Sequence, residues 1–345
     1  MHDEIVHDKN FVVKIVRIVH DFCRDFEPWS REVLFKLETI SISNNLFRVT
    51  SRVNQLNDQM SHLDAECTIR MLYNLGECLP TEMGPISFKA DKKSELQNLV
   101  GVFVQKSVPT HHAVVRLSLE TLVRYDKYFM FDKSYLGPVI KFMVGQGGLM
   151  HQHGTVRSRA AYLFSRFVRE MTPALSQYAS ELLQTLQNCL YQGGEDFLSE
   201  SDRSFVFEAA GYLVNVSPLS SEEKHQLYAS MIAPLVKRFQ DDLELLSKET
   251  DPEIQSAIAT RASQYVSWCG RTTKCWKGPE TVQSCQAGPI LAECVRVFMN
   301  ALDLPHTVND RSLILQSIRT FLHRMLICLS SDILGKHFKV TNFIE

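Results

Sequence analysis

Four residues in one stretch of the sequence have the chemistry to bind phosphate. Arg159, Tyr162, Arg166 and Arg169 follow one another at intervals of three or four residues. On an α-helix, which turns by about 100° per residue, this spacing places them in a stripe about 80° wide, opposite an apolar sector. A guanidinium group binds phosphate oxygens in a planar, bidentate manner. The stripe therefore predicts a phosphate-contacting surface, and a merely solvated polar face is the alternative.

Arg157 lies in the same stretch but projects toward the apolar side of the expected helix. A guanidinium in that position needs a hydrogen-bond partner. We therefore expect a structural role, in which Arg157 pairs with a carboxylate or carbonyl of a neighbouring repeat.

A second basic stretch, residues 269–277, interleaves cations with an aromatic ring at an expected helix end. Single-stranded or looped RNA is bound by this combination of stacking and charge. A loop tip kept soluble by its charge is the alternative. With two residues from the last expected helix, the further candidate RNA-binding residues are Arg271, Lys274, Trp276, Lys277, Arg319 and His323.

The cysteines, histidines and glycines form no recognisable catalytic or cofactor motif. Nine cysteines occur without a CxxC pair, the clustering that zinc sites favour, so we expect reduced, metal-free thiols. His151 and His153 are expected to lie in a loop. The glycines at 145–148 lack the Lys-Ser/Thr of a phosphate-binding loop, and neither Gly-x-Ser-x-Gly nor His-Glu-x-x-His occurs. The sequence predicts no enzyme and no cofactor.

Charge is distributed unevenly along the 345 residues. The formal net charge is −2 and the pI is about 6.6, which argues against a protein that coats nucleic acid with a uniformly basic surface. Residues 176–200 contain four acidic residues and no Lys or Arg, whereas several of the later helices are basic. A basic face on the second helix of each pair, balanced by acidic first helices, would reconcile this pI with a polyanionic ligand.

Helical periodicity dominates the chain, and turn signals separate the helices by short connections. Helices are expected at 10–26, 46–58, 62–78, 93–107, 111–129, 134–145, 155–171, 174–191, 201–216, 221–247, 252–270, 287–302 and 311–331. Small residues followed by an aromatic recur at about 45–55 residues, a spacing close to that of HEAT repeats. The sequence therefore predicts an all-α helical-repeat solenoid. A non-repeating helical bundle is the alternative.

The expected domain organisation has two parts. Residues 1–60 form an irregular N-terminal helical segment, and residues 61–345 form a HEAT-like repeat array. The first residues lack a signal peptide, and no uncharged apolar run reaches the roughly 18 residues of a membrane span. We therefore expect a soluble, intracellular protein without membrane insertion.

Several sequence blocks resemble the exportin-T family of the importin-β superfamily. The strongest are 156–168 (VRSRAAYLFSRFV) and 318–329 (IRTFLHRMLICL), supported by 120–129 (ETLVRYDKYF), 207–213 (FEAAGYL) and 270–274 (GRTTK). Residues 72–79 (LYNLGECL) match more loosely. The resemblance covers about residues 119–331 and the middle of the family, without its N-terminal Ran-binding arc or its C-terminal arc.

The resemblance implies a nuclear export carrier that binds tRNA together with Ran-GTP. It further implies contacts with nuclear pore proteins and shuttling between nucleus and cytoplasm. Two other functions share the helical stack: a carrier with a protein cargo, and a HEAT-repeat interaction scaffold. Binding of tRNA at low and high salt distinguishes them.

Overall fold

The computed structural model of the chain describes residues 42–78, 94–191 and 197–329. In the first of these ranges, the side chains of residues 46–76 are described. These ranges contain helices and no strand, which confirms the all-α fold of the helical-repeat class. The helix expected at 10–26 and most of the segment 1–60 lie outside them. Among the described residues, no helix combines the length and hydropathy needed to span a bilayer.

The α-helices are α1 (Ile42–Gln55), α2 (His62–Cys78), α3 (Glu95–Val104), α4 (His112–Arg124), α5 (Asp126–Phe131), α6 (Leu136–Val144), α7 (Gly154–Met171), α8 (Ala179–Tyr191), α9 (Glu200–Val216), α10 (Ser221–Leu246), α11 (Pro252–Thr272), α12 (Pro279–Gln283), α13 (Gly288–Met299) and α14 (Arg311–Cys328). Short 3-10 segments lie at Lys133–Tyr135, Thr172–Tyr178, Thr273–Cys275 and Asn300–Asp303.

Side chains at the helix starts explain several of these boundaries. Ser94 and Ser220 each form a capping box with the residue three positions later, Gln97 and Glu223. Asp251 accepts hydrogen bonds from the first turn of α11, which has proline at its first position. These caps satisfy backbone N–H groups that have no partner within the helix.

The helix expected at 111–129 is wrong as a single element, because the chain departs from helical geometry at Tyr125. The Tyr125 ring is fully buried, and its hydroxyl donates to the Leu72 carbonyl at 2.6 Å. Gly76 gives this ring room, since a Cβ there would lie 2.7 Å from the Tyr125 hydroxyl oxygen. A tertiary contact across 53 residues therefore divides the expected helix into α4 and α5.

The chain divides into two compact units, residues 1–163 and 164–345, with the boundary inside α7. In the first unit, α1 packs against α2 and α3, and α2 packs against α4. Its core includes the fully buried side chains of Val53, Ile69, Leu72, Val114 and Leu119. Alternate helices thus pack side by side, as in a repeat of helix pairs.

The second unit repeats this arrangement more clearly. Its consecutive pairs are α8–α9, α10–α11 and α13–α14, and the second helices pack in the order α9, α11, α14. Gly211 on α9 permits the closest approach in this row, because a Cβ there would lie 2.0 Å from the Thr272 carbonyl oxygen on α11. The row of second helices carries Arg271, Arg319 and Arg324, which are discussed below.

Candidate nucleic-acid interface

Arg157 is held by the loop that precedes its own helix. One guanidinium nitrogen, Nη1, donates to the carbonyls of His151 and Gln152, each at 2.9 Å. The partners are carbonyls, one of the two kinds expected, but they belong to the adjacent loop and not to a neighbouring repeat. The position of Arg157 suits fixing the start of α7.

Arg159, in the first unit, is anchored on two sides. Its Nε donates to the Glu120 carboxylate on α4 at 3.0 Å, and its guanidinium lies 5.2 Å from the centre of the Tyr162 ring. The Arg159 side chain is 40% exposed, so the guanidinium still faces solvent. The Glu120 carboxylate neutralises part of the Arg159 charge. The spacing of residues on α7 alone did not predict this partner, because Glu120 lies on α4.

Arg166 and Arg169 lie on the same helix, in the second unit. Arg169 forms an exposed ion pair of 3.3 Å with the adjacent Glu170. The Arg166 side chain is exposed and makes no ion pair within the described part of the chain. Exposed pairs of this kind contribute little to stability, so both cations are open to an external anion.

The strongest convergence of charge lies at residues 271–277, which we call the basic turn. Arg271 Nη1 and Lys274 Nζ both donate to one oxygen of Glu208, at 3.2 and 2.8 Å. The Glu208 side chain is only 7% exposed, whereas the two cations are 39% and 44% exposed. One buried carboxylate thus supports two cations that face solvent, which leaves a net positive charge.

Buried contacts with three helices build the backbone of the basic turn. Tyr228 of α10 is hydrogen-bonded to the Thr272 hydroxyl at 2.9 Å. Arg324 of α14 donates to the Thr273 carbonyl at 2.7 Å and also to the Trp276 carbonyl. With the close approach of Gly211 on α9, these contacts hold the turn in one conformation. Cys275, within it, is buried.

Trp276 requires a correction to the stacking role expected from the sequence. Its side chain is fully buried and packs edge-to-face against Tyr228, with ring centres 5.0 Å apart. A ring enclosed in this way presents no face on which a base could stack. Trp276 instead anchors the basic turn to α10.

Tyr212 of α9 lies among several of these groups. Burial raises the pKa of its phenol, as do Cys275 and Glu208, whereas Arg169 and Arg324 lower it. The ends of α7 and α11 and the middle of α14 therefore bring cations toward one region of the second unit. We call Arg169, Arg271, Lys274 and Arg324 the cation cluster.

The remaining candidate residues are exposed. Lys277 ends the basic turn, and Arg319 and His323 lie one turn apart on α14. Within the described part of the chain their side chains make no hydrogen bond or ion pair. Arg261, by contrast, is held by Asp242 in a bidentate pair at 2.9 and 2.6 Å, so it adds little to a basic face.

Sequence reasoning missed Arg324 and Glu208 as parts of this site. The Arg324 partners lie 48 and 51 residues upstream, and Glu208 meets its cations across 63 and 66 residues. No local spacing reveals such pairs. The excess of basic over acidic residues in the last helices was the one available signal for Arg324.

The side chains of seven cysteines are described, and none of them forms a disulfide. Cys189, Cys269, Cys275, Cys285, Cys294 and Cys328 are free and buried, and Cys67 is free and partly exposed. Burial raises the pKa of Cys269 and Cys275. Within the described ranges, no three His, Cys, Asp or Glu side chains meet in an arrangement that could hold a metal ion.

Comparison with known proteins shows similarity over most of the chain. A family model described as Exportin-T matches residues 36–342. Exportin-T of Mus musculus is 34% identical over 280 residues, which is 79% of this chain and 29% of the mouse protein. Exportin-T of Danio rerio is 34% identical over 83% of this chain and 30% of its own length. Exportin-T of Oryza sativa is 26% identical over 80% of this chain and 28% of its own length.

Proposed function

Because the chain belongs to the exportin-T family, we propose that it acts in the export of tRNA from the nucleus, as a carrier segment that contacts the RNA. It spans less than a third of the length of these curated relatives. The roles of the whole carrier are therefore part of the proposal: binding of Ran-GTP, contact with nuclear pore proteins, and shuttling between nucleus and cytoplasm. The proposed role is transport without catalysis.

The cation cluster is the observation that supports an RNA ligand. Four cations approach one region, where one buried carboxylate, Glu208, offsets part of their charge. Guanidinium and ammonium groups in such a cluster bind phosphate oxygens, and phosphate contacts supply much of the affinity for nucleic acid. Arg159, Tyr162, Arg166, Lys277, Arg319 and His323 are proposed as additional contacts.

Binding of purified tRNA to the full chain tests this function. Reversal of Arg169 and Lys274 to Glu should lower affinity at least tenfold at low salt, because it replaces two attractive contacts with repulsive ones. Arg296→Glu/Lys237→Glu is the control matched in charge, since Arg296 lies on α13 in an exposed pair with Glu293 and Lys237 is exposed on α10.

The control should retain most of the wild-type affinity. Equal losses in the two variants would mean that only net charge matters. A wild-type chain that fails to bind tRNA at low salt would favour a carrier of protein cargo or a helical scaffold.

A further inference from the structure

Four histidines, none of them a member of the cation cluster, form a continuous row of rings in the first unit. The ring centres of His62 and His111 are 4.3 Å apart, those of His111 and His112 are 4.3 Å apart, and those of His112 and His153 are 4.6 Å apart. We call these four residues the histidine row. His62, His112 and His153 are exposed, whereas His111 is partly buried.

The row connects the starts of three helices. His62 is the first residue of α2, His111 caps α4 and His112 begins it, and His153 directly precedes α7. A helix start carries partial positive charge and unpaired N–H groups, which favour an anion and disfavour an imidazolium ion. Three helix starts along one row of rings thus create an edge suited to negative charge.

Hydrogen bonds indicate which ring nitrogens carry protons. The His111 Nδ1 accepts from the Ala113 N–H at 3.4 Å, and in the adjoining loop the His151 Nδ1 accepts from the His153 N–H at 2.9 Å. A neutral ring that accepts at Nδ1 carries its proton on Nε2. Burial lowers the pKa of His111, and the neighbouring His62 and His112 lower it further. His111 is therefore neutral near pH 7.

The charged groups on the three helices partly cancel one another. Glu66 pairs with Arg70 at 2.8 Å, and Glu120 pairs with Arg159 at 3.0 Å. The other charged residues near these helix starts are Asp58, Asp64, Arg116 and Arg157. The sum over these groups is zero, so the surroundings carry no net negative charge that would oppose an anion.

We propose that the histidine row binds the phosphate backbone of RNA, as a second contact surface in the first unit. This inference rests on the proposed function, because it takes the same RNA as its ligand. RNA matches the row because its phosphates repeat along a line and accept hydrogen bonds from imidazole donors.

Phosphate binding at the row should be coupled to protonation. A phosphate beside an imidazole ring favours the protonated ring by charge attraction. Binding then takes up protons, so affinity should be higher at pH 6.5 than at pH 8.0. Each proton taken up strengthens binding by at most about tenfold per pH unit.

The test measures tRNA affinity of the full chain at pH 8.0 and pH 6.5. The informative variant is His62→Gln/His112→Gln/His153→Gln, which removes the exposed titratable rings and leaves the His111 cap. His306→Gln is the matched control, because His306 is exposed but lies in the second unit. Thermal melting of each variant verifies folding, and His112→Gln alone serves if the triple variant does not fold.

Wild type and the His306→Gln control should bind tRNA at least threefold more tightly at pH 6.5 than at pH 8.0, and the histidine-row variant should lose most of this gain, since it keeps only the proposed contact of His323. A variant that keeps the full gain, or a wild type without one, would overturn the inference. Stronger competition by polyglutamate than by tRNA at pH 6.5 would also overturn it, by assigning the row to an acidic protein. Absence of tRNA binding by wild type at both pH values would instead count against the proposed function itself.

Discussion

A buried carboxylate beneath two exposed cations has two opposing effects on a phosphate-binding surface. Glu208 fixes Arg271 and Lys274, which reduces the side-chain entropy lost on binding by about 0.5–1.5 kcal/mol per side chain. It also repels the phosphate. At a separation of about 6 Å that repulsion is roughly 0.7–3 kcal/mol for effective dielectric constants between 80 and 20. The two effects are comparable in size, so a substitution that removes charge but keeps hydrogen-bonding atoms can separate them.

Glu208→Gln makes this separation. The amide oxygen still accepts from Arg271 or Lys274, whereas the negative charge is gone. We expect tRNA affinity to increase by about two- to tenfold at low salt, with the gain decreasing as salt screens the charges. Filter binding at several salt concentrations measures it. Glu293→Gln, which releases Arg296 on α13 in the same way, is the control, and equal gains in both variants would contradict a special role for the cluster.

Arg159 and Arg166 should respond differently to charge reversal. In Arg159→Glu the new carboxylate faces Glu120, so an ion pair becomes a repulsion, and we expect a loss of about 1 kcal/mol in the free energy of unfolding. Arg166→Glu breaks no described pair and should change stability by less than about 0.5 kcal/mol. Urea denaturation compares the two. Equal destabilisation by both reversals would mean that the pair with Glu120 does not form in solution.

At the scale of helices, local sequence signals determine where most helices begin and end, whereas tertiary contacts determine where a helix is interrupted and which side chains are buried. The pattern of apolar positions and turn signals predicted α2, α7 and α9 to within a residue, because these signals act within or directly beside each helix. The break at Tyr125 and the burial of Trp276 were not predictable, since both depend on partners about fifty residues away along the chain.

In the candidate site too, local spacing predicted some features, and packing between helices determined the others. The spacing of Arg159, Arg166 and Arg169 predicted one polar face of α7, because that face follows from the helical period; Arg166 and Arg169 are exposed there and Arg159 is half-buried. The carboxylates that hold the cations lie on other helices, so the net charge of the surface depended on packing that the sequence pattern does not contain.

Gly211 allows α9 and α11 to approach closely and therefore determines the position of the basic turn. A Cβ in Gly211→Ala would lie 2.0 Å from the Thr272 carbonyl oxygen, so the helices must separate. We expect a loss of about 2–4 kcal/mol in unfolding free energy and weaker tRNA binding, because the turn moves with α11.

Gly270→Ala is the control for this substitution. It adds the same methyl group to α11, where the nearest side-chain atom, in Phe321, lies 3.6 Å away in ordinary contact. Because alanine favours helix, this variant should be neutral or up to about 1 kcal/mol more stable. Calorimetric melting of both variants decides the question, and a stable Gly211→Ala protein would show that the two helices are not in close contact.

At the scale of the whole chain, a net charge of −2 coexists with the cation cluster because acidic residues concentrate elsewhere, as in residues 221–253. Such a chain is not attracted to RNA by its total charge. Affinity must therefore come from a limited set of contacts, and the number of those contacts is measurable.

The salt dependence of tRNA binding counts these contacts. The four cations of the cluster alone predict a log–log slope of about −3 to −4, taking roughly −0.9 for each contact from duplex DNA, and each additional proposed contact steepens the slope by about the same amount. Because phosphates carry no base identity, tRNAs of different sequence should give similar slopes. A slope near zero, or one that depends strongly on tRNA sequence, would contradict binding through these cations.

The burial of Cys275 within the basic turn provides a built-in reporter of local opening. A thiol that is enclosed, with its pKa raised by burial, reacts with an alkylating reagent only when the surrounding structure opens. Mass spectrometry can follow Cys275 separately from Cys189, which is also buried but lies on α8, away from the turn in sequence. A ligand that binds the turn should slow alkylation at Cys275 more than at Cys189, so that occupancy is read from reaction rates without any added label.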